Sequence, residues 1–264
     1  MLHEFAGSQP TPSSAPETPA VPRKRLAVCL SGLVRTYRDT WDNFRDGLLA
    51  VNPDYDIDIF ISTWTIEHSN RSMERTRRLA WCGDHAPPFP ENPIDYIDLQ
   101  SRYRPQAMEV ETPIDFPVPW YVPTPGANIQ SLSSMWYKIW RADTLRRRHE
   151  QVMGFTYDAV ARVRFDTLFP FPIKVADYDL EKVNCPSMMQ PRYHPDFDWT
   201  NDKFALTTSH NMSLYCTWMW DVPSLVAAGI PFQPETLLFE HLKRKGLAPA
   251  PWGCEMDLIR IAGF

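Results

Sequence analysis

Closely spaced cysteine pairs are missing from this sequence. The chain has five cysteines, and no two of them form a C-x-x-C motif. An odd number of scattered cysteines supports neither a disulfide framework nor a zinc site. We therefore expect free thiols, most of them buried, in a reducing compartment. They belong to Cys29, Cys82, Cys185, Cys216 and Cys254.

Basic residues are not in excess either, and the glycine-rich phosphate motifs are absent. The formal net charge is -5. Binding to a nucleic-acid backbone normally needs a basic surplus, so we expect no nucleic-acid partner. The sequence contains neither G-x-G-x-x-G nor the P-loop pattern. This argues against NAD-dependent enzymes and P-loop nucleotide hydrolases.

Long apolar runs are also lacking. No stretch approaches the roughly 20 apolar residues that span a bilayer. The first residues do not show the basic and apolar regions of a signal peptide. We expect a cytoplasmic protein without a transmembrane segment, and peripheral contact with a membrane stays open.

The first 22 residues are instead rich in proline, serine, threonine and alanine. Such a segment cannot bury enough apolar surface to offset the entropy of ordering it. We predict a disordered tail over residues 1–22 and a single domain over residues 23–264. A hydrophobic content of 44% is sufficient for that domain to form a sizeable core.

The domain is predicted to open with a strand, a helix and a second strand. The apolar run from Leu26 to Leu30 is typical of a buried parallel strand. Residues 37–50 carry apolar side chains at helical spacing, and residues 57–61 form the next apolar run. This order indicates a βαβ unit, and hence an α/β domain with a mostly parallel sheet flanked by helices.

The proline-dense segment 87–125 is predicted to be a long ordered loop with a weak strand at 107–110. A long helix is predicted from Asn128 to Gly154, and its Arg146-Arg147-Arg148 run is interpreted as a solvated face near the C-terminal end. Further strands and helices are predicted at 157–164, 203–207, from Asn211, at 234–245 and at 256–262.

Polar residues follow the first strand, where Ser31 and Gly32 lead to Arg35. Open α/β sheets bind ligands at the carboxyl ends of their strands. A glycine there lets the backbone approach a nucleotide closely, and an arginine fork pairs with a diphosphate. The alternative is an ordinary strand-to-helix turn with a surface arginine.

A second group follows the strand predicted at 157–164. Alternation along that strand puts Arg162, Arg164 and Asp166 on one face. Two arginines and a carboxylate suit a diphosphate that is bound to a metal or neutralised by cations. The alternative is a structural ion pair at the end of a strand.

Two acidic residues are candidate general bases. Asp202, in the segment Asn201-Asp202-Lys203, is placed to deprotonate an acceptor hydroxyl, although Asn-Asp is also common in turns. Glu235 is the second candidate, and its alternative role is to stabilise the N-terminus of its helix. We expect His241, on the same helix, to be a packed core histidine.

Six segments then combine into a recognisable series: 27–37 (AVCLSGLVRTY), 58–64 (DIFISTW), 134–139 (SMWYKI), 157–166 (YDAVARVRFD), 201–205 (NDKFA) and 234–242 (PETLLFEHL). In this order they resemble a family of bacterial polysaccharide and lipopolysaccharide glycosyltransferases, the WavE-like group and its relatives. The resemblance extends over about residues 25–245.

The resemblance implies a GT-A-like fold that transfers a sugar from a nucleoside-diphosphate sugar to a hydroxyl of a glycan or glycolipid precursor, in cell-surface polysaccharide synthesis. Asp202 would be the base if the reaction inverts, and Glu235 the second candidate. The donor would be bound by Ser31, Gly32, Arg35, Arg162, Arg164 and Asp166.

GT-A enzymes hold a divalent metal with an Asp-x-Asp segment, and the matching Arg164-Phe165-Asp166 lacks the first Asp. Either Asp166 binds Mn²⁺ or Mg²⁺ alone with water, or Arg162 and Arg164 replace the metal. Related families also place polar residues of the preceding helix against the nucleotide. The resemblance thereby assigns Ser134 and Lys138, which lie one turn apart, to the donor site.

Two other functions stay open. One is a non-catalytic protein that binds a sugar nucleotide, which the missing Asp of the metal motif favours. The other is a different α/β transferase, such as a methyltransferase or a nucleotidyltransferase.

Overall fold

The computed structural model describes residues 23–67, 92–116, 129–188 and 195–259. The predicted tail over residues 1–22 lies outside these ranges, as do Cys82 and Asn128. None of the described helices is long and apolar enough to cross a membrane. The described cysteines are free, and three of the four are buried, as predicted.

The chain begins with the predicted βαβ unit. Strand β1 (Lys24–Ser31) leads to helix α1 (Tyr37–Phe44), which continues as a π-helical turn (Arg45–Leu49), and then to strand β2 (Tyr55–Trp64). β1 and β2 pair in parallel along their length. β1 is buried from Leu26 onward, which explains its unbroken apolar run.

A short helix occupies part of the segment that was predicted to be a loop. Helix α2 (Tyr96–Tyr103) begins where the carboxylate of Asp95 accepts a hydrogen bond from the backbone N–H of Asp98. It ends at Arg104, whose backbone is left-handed. The loop prediction was therefore wrong here, while strand β3 (Ala107–Glu111) confirms the predicted weak strand.

Helix α3 (Ile129–Met153) is the longest helix and carries the arginine run. Arg148 is exposed as predicted, but Arg146 is fully buried. Its guanidinium pairs with Asp143 at 2.6 Å and with Glu150 at 2.8 Å, on the same helix. The prediction of a solvated face was wrong for Arg146, because these carboxylates neutralise it inside the protein.

The second half of the chain supplies six strands and three helices within the described ranges. The strands are β4 (Ala159–Val163), β5 (Thr167–Leu168), β6 (Val183–Cys185), β7 (Phe204–Thr207), β8 (Pro249–Pro251) and β9 (Asp257–Leu258). The helices are α4 (Ser209–Tyr215), α5 (Trp218–Ala227) and α6 (Pro234–Arg244). The predicted strand at 256–262 is thus reduced to β9, and residues 260–262 lie outside the described ranges.

Seven strands form one sheet in the order β3-β2-β1-β4-β7-β6-β8, and β5 pairs separately with β9. Among the strands described in the large sheet, β7 alone runs against its neighbours. One apolar core lies between the sheet and α1 and α2. The other lies between the sheet and α3 to α6. The predicted α/β class, with a mostly parallel sheet flanked by helices, is confirmed.

The strand order reverses at β1. From β1 the chain proceeds outward through β2 and β3, and it then returns to place β4 on the other side of β1. In open α/β sheets, such a reversal of strand order marks the place where ligands bind, at the carboxyl ends of the strands. The residues that follow β1 and β4 are therefore candidates for a ligand-binding site.

Candidate functional site

The carboxyl edge of the sheet is here defined as the side on which β1 to β4 end. β7 is antiparallel to β4, and its first residue, Phe204, pairs with Val163, the last residue of β4. The residues just before β7 therefore reach the same edge as the residues just after β4. This places Asp202 on the edge that also carries Ser31 and Arg164.

The turn after β1 is held in a fixed shape by hydrogen bonds to β2 and to the residues that follow it. Gly32 has φ +102, a conformation that other residues rarely adopt. Its N–H donates to the carbonyl of Ser62, and its carbonyl accepts from the hydroxyl of Thr63 at 2.7 Å. Arg35 has φ +45, and its N–H donates to the carbonyl of Glu67. The turn that is predicted to contact the donor is thus fixed by hydrogen bonds within the protein.

Arg35, Asp166 and Arg164 form one cluster at this edge. Nη1 of Arg35 lies 2.6 Å from Oδ2 of Asp166. Arg164 donates from Nε to Oδ1 at 2.9 Å and from Nη2 to Oδ2 at 3.0 Å. These three side chains carry two positive charges and one negative charge, and guanidinium groups are common protein partners of a diphosphate. The structure brings these three predicted residues together.

The same cluster bears on the metal that the resemblance implies. Both carboxylate oxygens of Asp166 already accept hydrogen bonds from guanidinium groups. Across the described ranges, no group of three or more His, Cys, Asp or Glu side chains is arranged to hold a metal ion. The residues around Asp166 fit charge neutralisation by arginine better than a metal site, and Mn²⁺ or Mg²⁺ at Asp166 stays a prediction.

Arg162 belongs to a different group from Arg164. The strand that was predicted to run to Arg164 ends at Val163, so alternation does not continue to Arg164 and Asp166. The side chain of Arg162 is buried and donates from Nη1 to the carbonyl of Asp202. Its Nε and Nη2 have no hydrogen-bond partner among the described residues. The predicted arginine pair is thus divided between two neighbouring environments.

The two candidate bases lie close to each other. Asp202 is buried, and Glu235 lies in the first turn of α6. The N–H of Thr200 donates to the carbonyl of Glu235 at 3.1 Å, which ties the segment before β7 to this helix. Burial raises the pKa of Glu235 to about 7, and the charge of Asp202 adds to the rise. Glu235 therefore exchanges its proton near neutral pH, which is a property of catalytic carboxyls.

Lys138 reaches the carboxyl edge, where its ammonium group is already paired with a carboxylate. Its Nζ lies 2.6 Å from Oε2 of Glu111 and 3.9 Å from the centre of the Trp64 ring. Burial lowers the pKa of the Lys138 ammonium, and the hydrogen bond to Glu111 opposes that change. Ser134, one turn earlier, is half-buried. The structure thus places Lys138 at the ends of β2 and β3, where it supports the edge, and Ser134 one turn before it on α3.

Tyr215 was missed by sequence reasoning. It is the last residue of α4, and its buried hydroxyl has no hydrogen-bond partner in the described part of the chain. Both Arg162 and Asp202 act electrostatically on it. No local pattern around Tyr215 signals this position, because its neighbours come from β4 and from the segment before β7.

His241 confirms the prediction of a core histidine. It is fully buried, and its ring nitrogens contact the carboxylate of Asp221 at 2.7 Å and the carbonyl of Leu214 at 2.9 Å. These contacts join α4, α5 and α6. Its role is therefore structural.

A scan against models of known protein families and a search of curated proteins find no match to this chain.

Proposed function

We propose that this protein is a glycosyltransferase that moves a sugar from a nucleoside-diphosphate sugar to a hydroxyl of a glycan or glycolipid precursor. The observation that supports this proposal is the Arg35–Asp166–Arg164 cluster. It lies where the strand order reverses, on the same edge as Asp202. A site for an anion and a candidate base thus share one edge of a nucleotide-binding type of sheet. The GT-A-like assignment belongs to this proposal, and the β3-β2-β1-β4 order supports it.

In this proposal the diphosphate binds at the Arg35–Asp166–Arg164 cluster. The absence of a side chain at Gly32 lets the diphosphate approach the backbone of the turn after β1. Negative charge develops on the nucleoside diphosphate as it leaves, and fixed guanidinium groups stabilise that charge. We assign this role to the two arginines, because both oxygens of Asp166 already accept hydrogen bonds from them.

Asp202 acts as the general base of an inverting transfer. The acceptor oxygen attacks the anomeric carbon, the bond from that carbon to the diphosphate oxygen breaks, and the acceptor proton goes to the Asp202 carboxylate. Glu235 is the second candidate, and its pKa of about 7 suits proton exchange at neutral pH. Asp202 is buried and Glu235 is half-buried, which limits the competition of water for the proton.

A thermal-shift screen tests the donor site directly. UDP, GDP, CDP and their sugars are each added with and without Mn²⁺. A ligand present at 100 times its Kd stabilises the folded state by about 2.7 kcal/mol. That corresponds to roughly 5–10 °C for a domain of this size. We expect one nucleoside diphosphate to give such a shift without Mn²⁺, and no shift with any of them at millimolar concentration contradicts the proposal.

Replacing Asp202 by Asn tests the base. We expect turnover to fall by at least about 100-fold, because an amide cannot accept the proton. Affinity for the nucleoside diphosphate should stay within about twofold, since Arg162 binds the main-chain carbonyl of Asp202 and not its carboxylate. Asp196→Asn, at an exposed position, is the control. Wild-type turnover in Asp202→Asn would transfer the role to Glu235.

A non-catalytic sugar-nucleotide-binding protein is the second candidate. It is favoured by Arg164, which stands where the metal motif has its first Asp. Tight donor binding with neither transfer nor hydrolysis would support it. A different α/β transferase becomes the better proposal if no nucleoside diphosphate binds.

A further inference from the structure

One edge of a buried arginine is left without a partner. Nε and Nη2 of Arg162 point along the same side of the planar guanidinium group, the side that usually binds two oxygens at once. Arg162 is 1% exposed, and neither atom has a hydrogen-bond partner within the described ranges. Buried N–H groups of this kind are normally paired, so the open side of Arg162 offers two donors to a ligand.

A second unpaired group lies on helix α4, which packs against β4. The hydroxyl of Tyr215 is buried without a partner among the described side chains and backbone, and the tyrosine interacts electrostatically with Arg162 and Asp202. Arg162 belongs to β4 and Tyr215 to α4, so two separate elements each present an unpaired polar group to the same region. One ligand with adjacent oxygens would satisfy both.

Charge decides which ligand fits. The carboxyls of Asp202 and Glu235 lie in this region, and the charge of Asp202 is felt at both Tyr215 and Glu235. A second anionic group would be repelled there, and the Arg35–Asp166–Arg164 cluster offers it a better place. Two neighbouring hydroxyls bring no charge. Their oxygens accept hydrogen bonds from the arginine and the tyrosine, and their O–H groups donate to the carboxyls.

We propose that Arg162 and Tyr215, together with Asp202 and Glu235, form a subsite for two neighbouring hydroxyls of a sugar ring. The inference rests on the proposed function for its donor, and it moves Arg162 from the diphosphate to the sugar. The sugar is that of the nucleotide donor or that of the acceptor glycan. Both offer the same diol chemistry, and the experiment separates them.

Tyr215→Phe is the sharpest variant, because it removes only the unpaired hydroxyl and keeps the packed ring. We expect an unchanged or higher melting temperature, since a buried hydroxyl without a partner does not stabilise the fold. Affinity for the nucleotide sugar should fall roughly 3–10-fold, the effect of losing one hydrogen bond. Affinity for the nucleoside diphosphate alone should not change.

Tyr157→Phe is the matched control. Tyr157 is equally buried, but its hydroxyl donates to the carboxylate of Asp58 at 2.7 Å. This variant should lower the melting temperature and leave sugar binding unchanged. If Tyr215→Phe lowers the melting temperature as much, its hydroxyl has a structural partner and the subsite is refuted.

Calorimetric titration of the nucleoside diphosphate and its sugar is combined with saturation-transfer NMR on free glucose, galactose, mannose and N-acetylglucosamine. A loss confined to the nucleotide sugar in Tyr215→Phe identifies the donor sugar. A loss of only the free-sugar signal identifies the acceptor. Equal weakening of nucleoside diphosphate and nucleotide sugar, or no weakening of any ligand, refutes the subsite.

The two proposals fail in different ways. If no nucleoside diphosphate binds but Tyr215→Phe abolishes a free-sugar signal, the donor function is wrong and the sugar subsite stands. If the nucleoside diphosphate binds and Tyr215→Phe affects no sugar, the donor function stands and the subsite is wrong. Wild-type protein that binds neither nucleotide nor sugar contradicts both.

Discussion

Asp166→Asn separates the two explanations of how a diphosphate is held at the carboxyl edge. The wild-type carboxylate is 2% exposed and lies between two guanidinium groups that are 17% and 15% exposed. The amide keeps the shape but loses the charge. The substitution removes one negative charge from between the two arginines, so the free protein should be less stable and the site more attractive to an anion.

The size of both effects follows from burial. Breaking a fully buried ion pair costs about 3–5 kcal/mol, and partial access of water to the arginines reduces this to about 2–3 kcal/mol. The melting temperature should fall by roughly 5–10 °C. The charge of the cluster rises by one unit. An effective dielectric constant near 20 and screening by salt leave about 1 kcal/mol of extra attraction, or about fivefold in affinity for the nucleoside diphosphate.

Urea denaturation at pH 7 measures the loss of stability, and calorimetric titration with and without Mn²⁺ measures the affinity. Asp42→Asn is the control, because Asp42 pairs with Arg45 at the surface and should change stability by less than about 1 kcal/mol. If Asp166 is instead a metal ligand, Asp166→Asn should bind the nucleoside diphosphate at least tenfold more weakly and lose any Mn²⁺ dependence. That result would refute charge neutralisation by the arginines.

Two further predictions concern buried charges. The pKa of Glu235 is raised from 4.5 to about 7, so between these values the folded state binds more protons than the unfolded state. Wild-type stability should therefore fall as pH rises through this window, by up to about 3 kcal/mol, and level off above pH 7. Urea denaturation from pH 4 to 8 measures this fall in the free energy of unfolding, which should be smaller in Glu235→Gln. The same fall in both proteins would contradict a raised pKa at Glu235. Arg146→Met should lower the free energy of unfolding by about 3–5 kcal/mol, because it leaves the buried Asp143 without its closest cation. Arg148→Met, at the exposed neighbour, should change it by less than about 0.5 kcal/mol, and similar losses in both variants would show that the burial of Arg146 does not matter.

The elements that were predicted correctly are those whose pattern is local. β1 is an apolar run because it is buried on both faces, and α6 begins with Pro234 and carries basic residues in its last turn. α2 was missed because prolines surround it and its eight residues give little periodicity. Its signal was the N-cap Asp95. The direction of β7 was beyond sequence reasoning, since nothing local determines which way a strand pairs.

In the candidate site, too, features that depend on local sequence were predicted and features that depend on distant contacts were not. Residue types and chain order led to Arg35, Arg164 and Asp166, which the structure brings together. The burial of Arg162 and Arg146 was not predictable, because both arginines contact residues that are distant in sequence, although the carboxylates that neutralise Arg146 lie on its own helix. Arg162 contacts Asp202, and Arg146 contacts Ser209. A run of arginines in a sequence does not show which of them is buried in the folded protein.

The central position of β1 affects the order in which the strands pair during folding. One side of β1 pairs with β2, which follows soon after it, while the other waits for β4, and the contact between Arg25 and Asp158 closes a separation of 133 residues. Such distant pairing slows folding. During synthesis an apolar strand therefore keeps one open edge until more than half of the chain has been made, which exposes it to pairing with other chains. Ligand binding should appear only after this pairing, late in refolding.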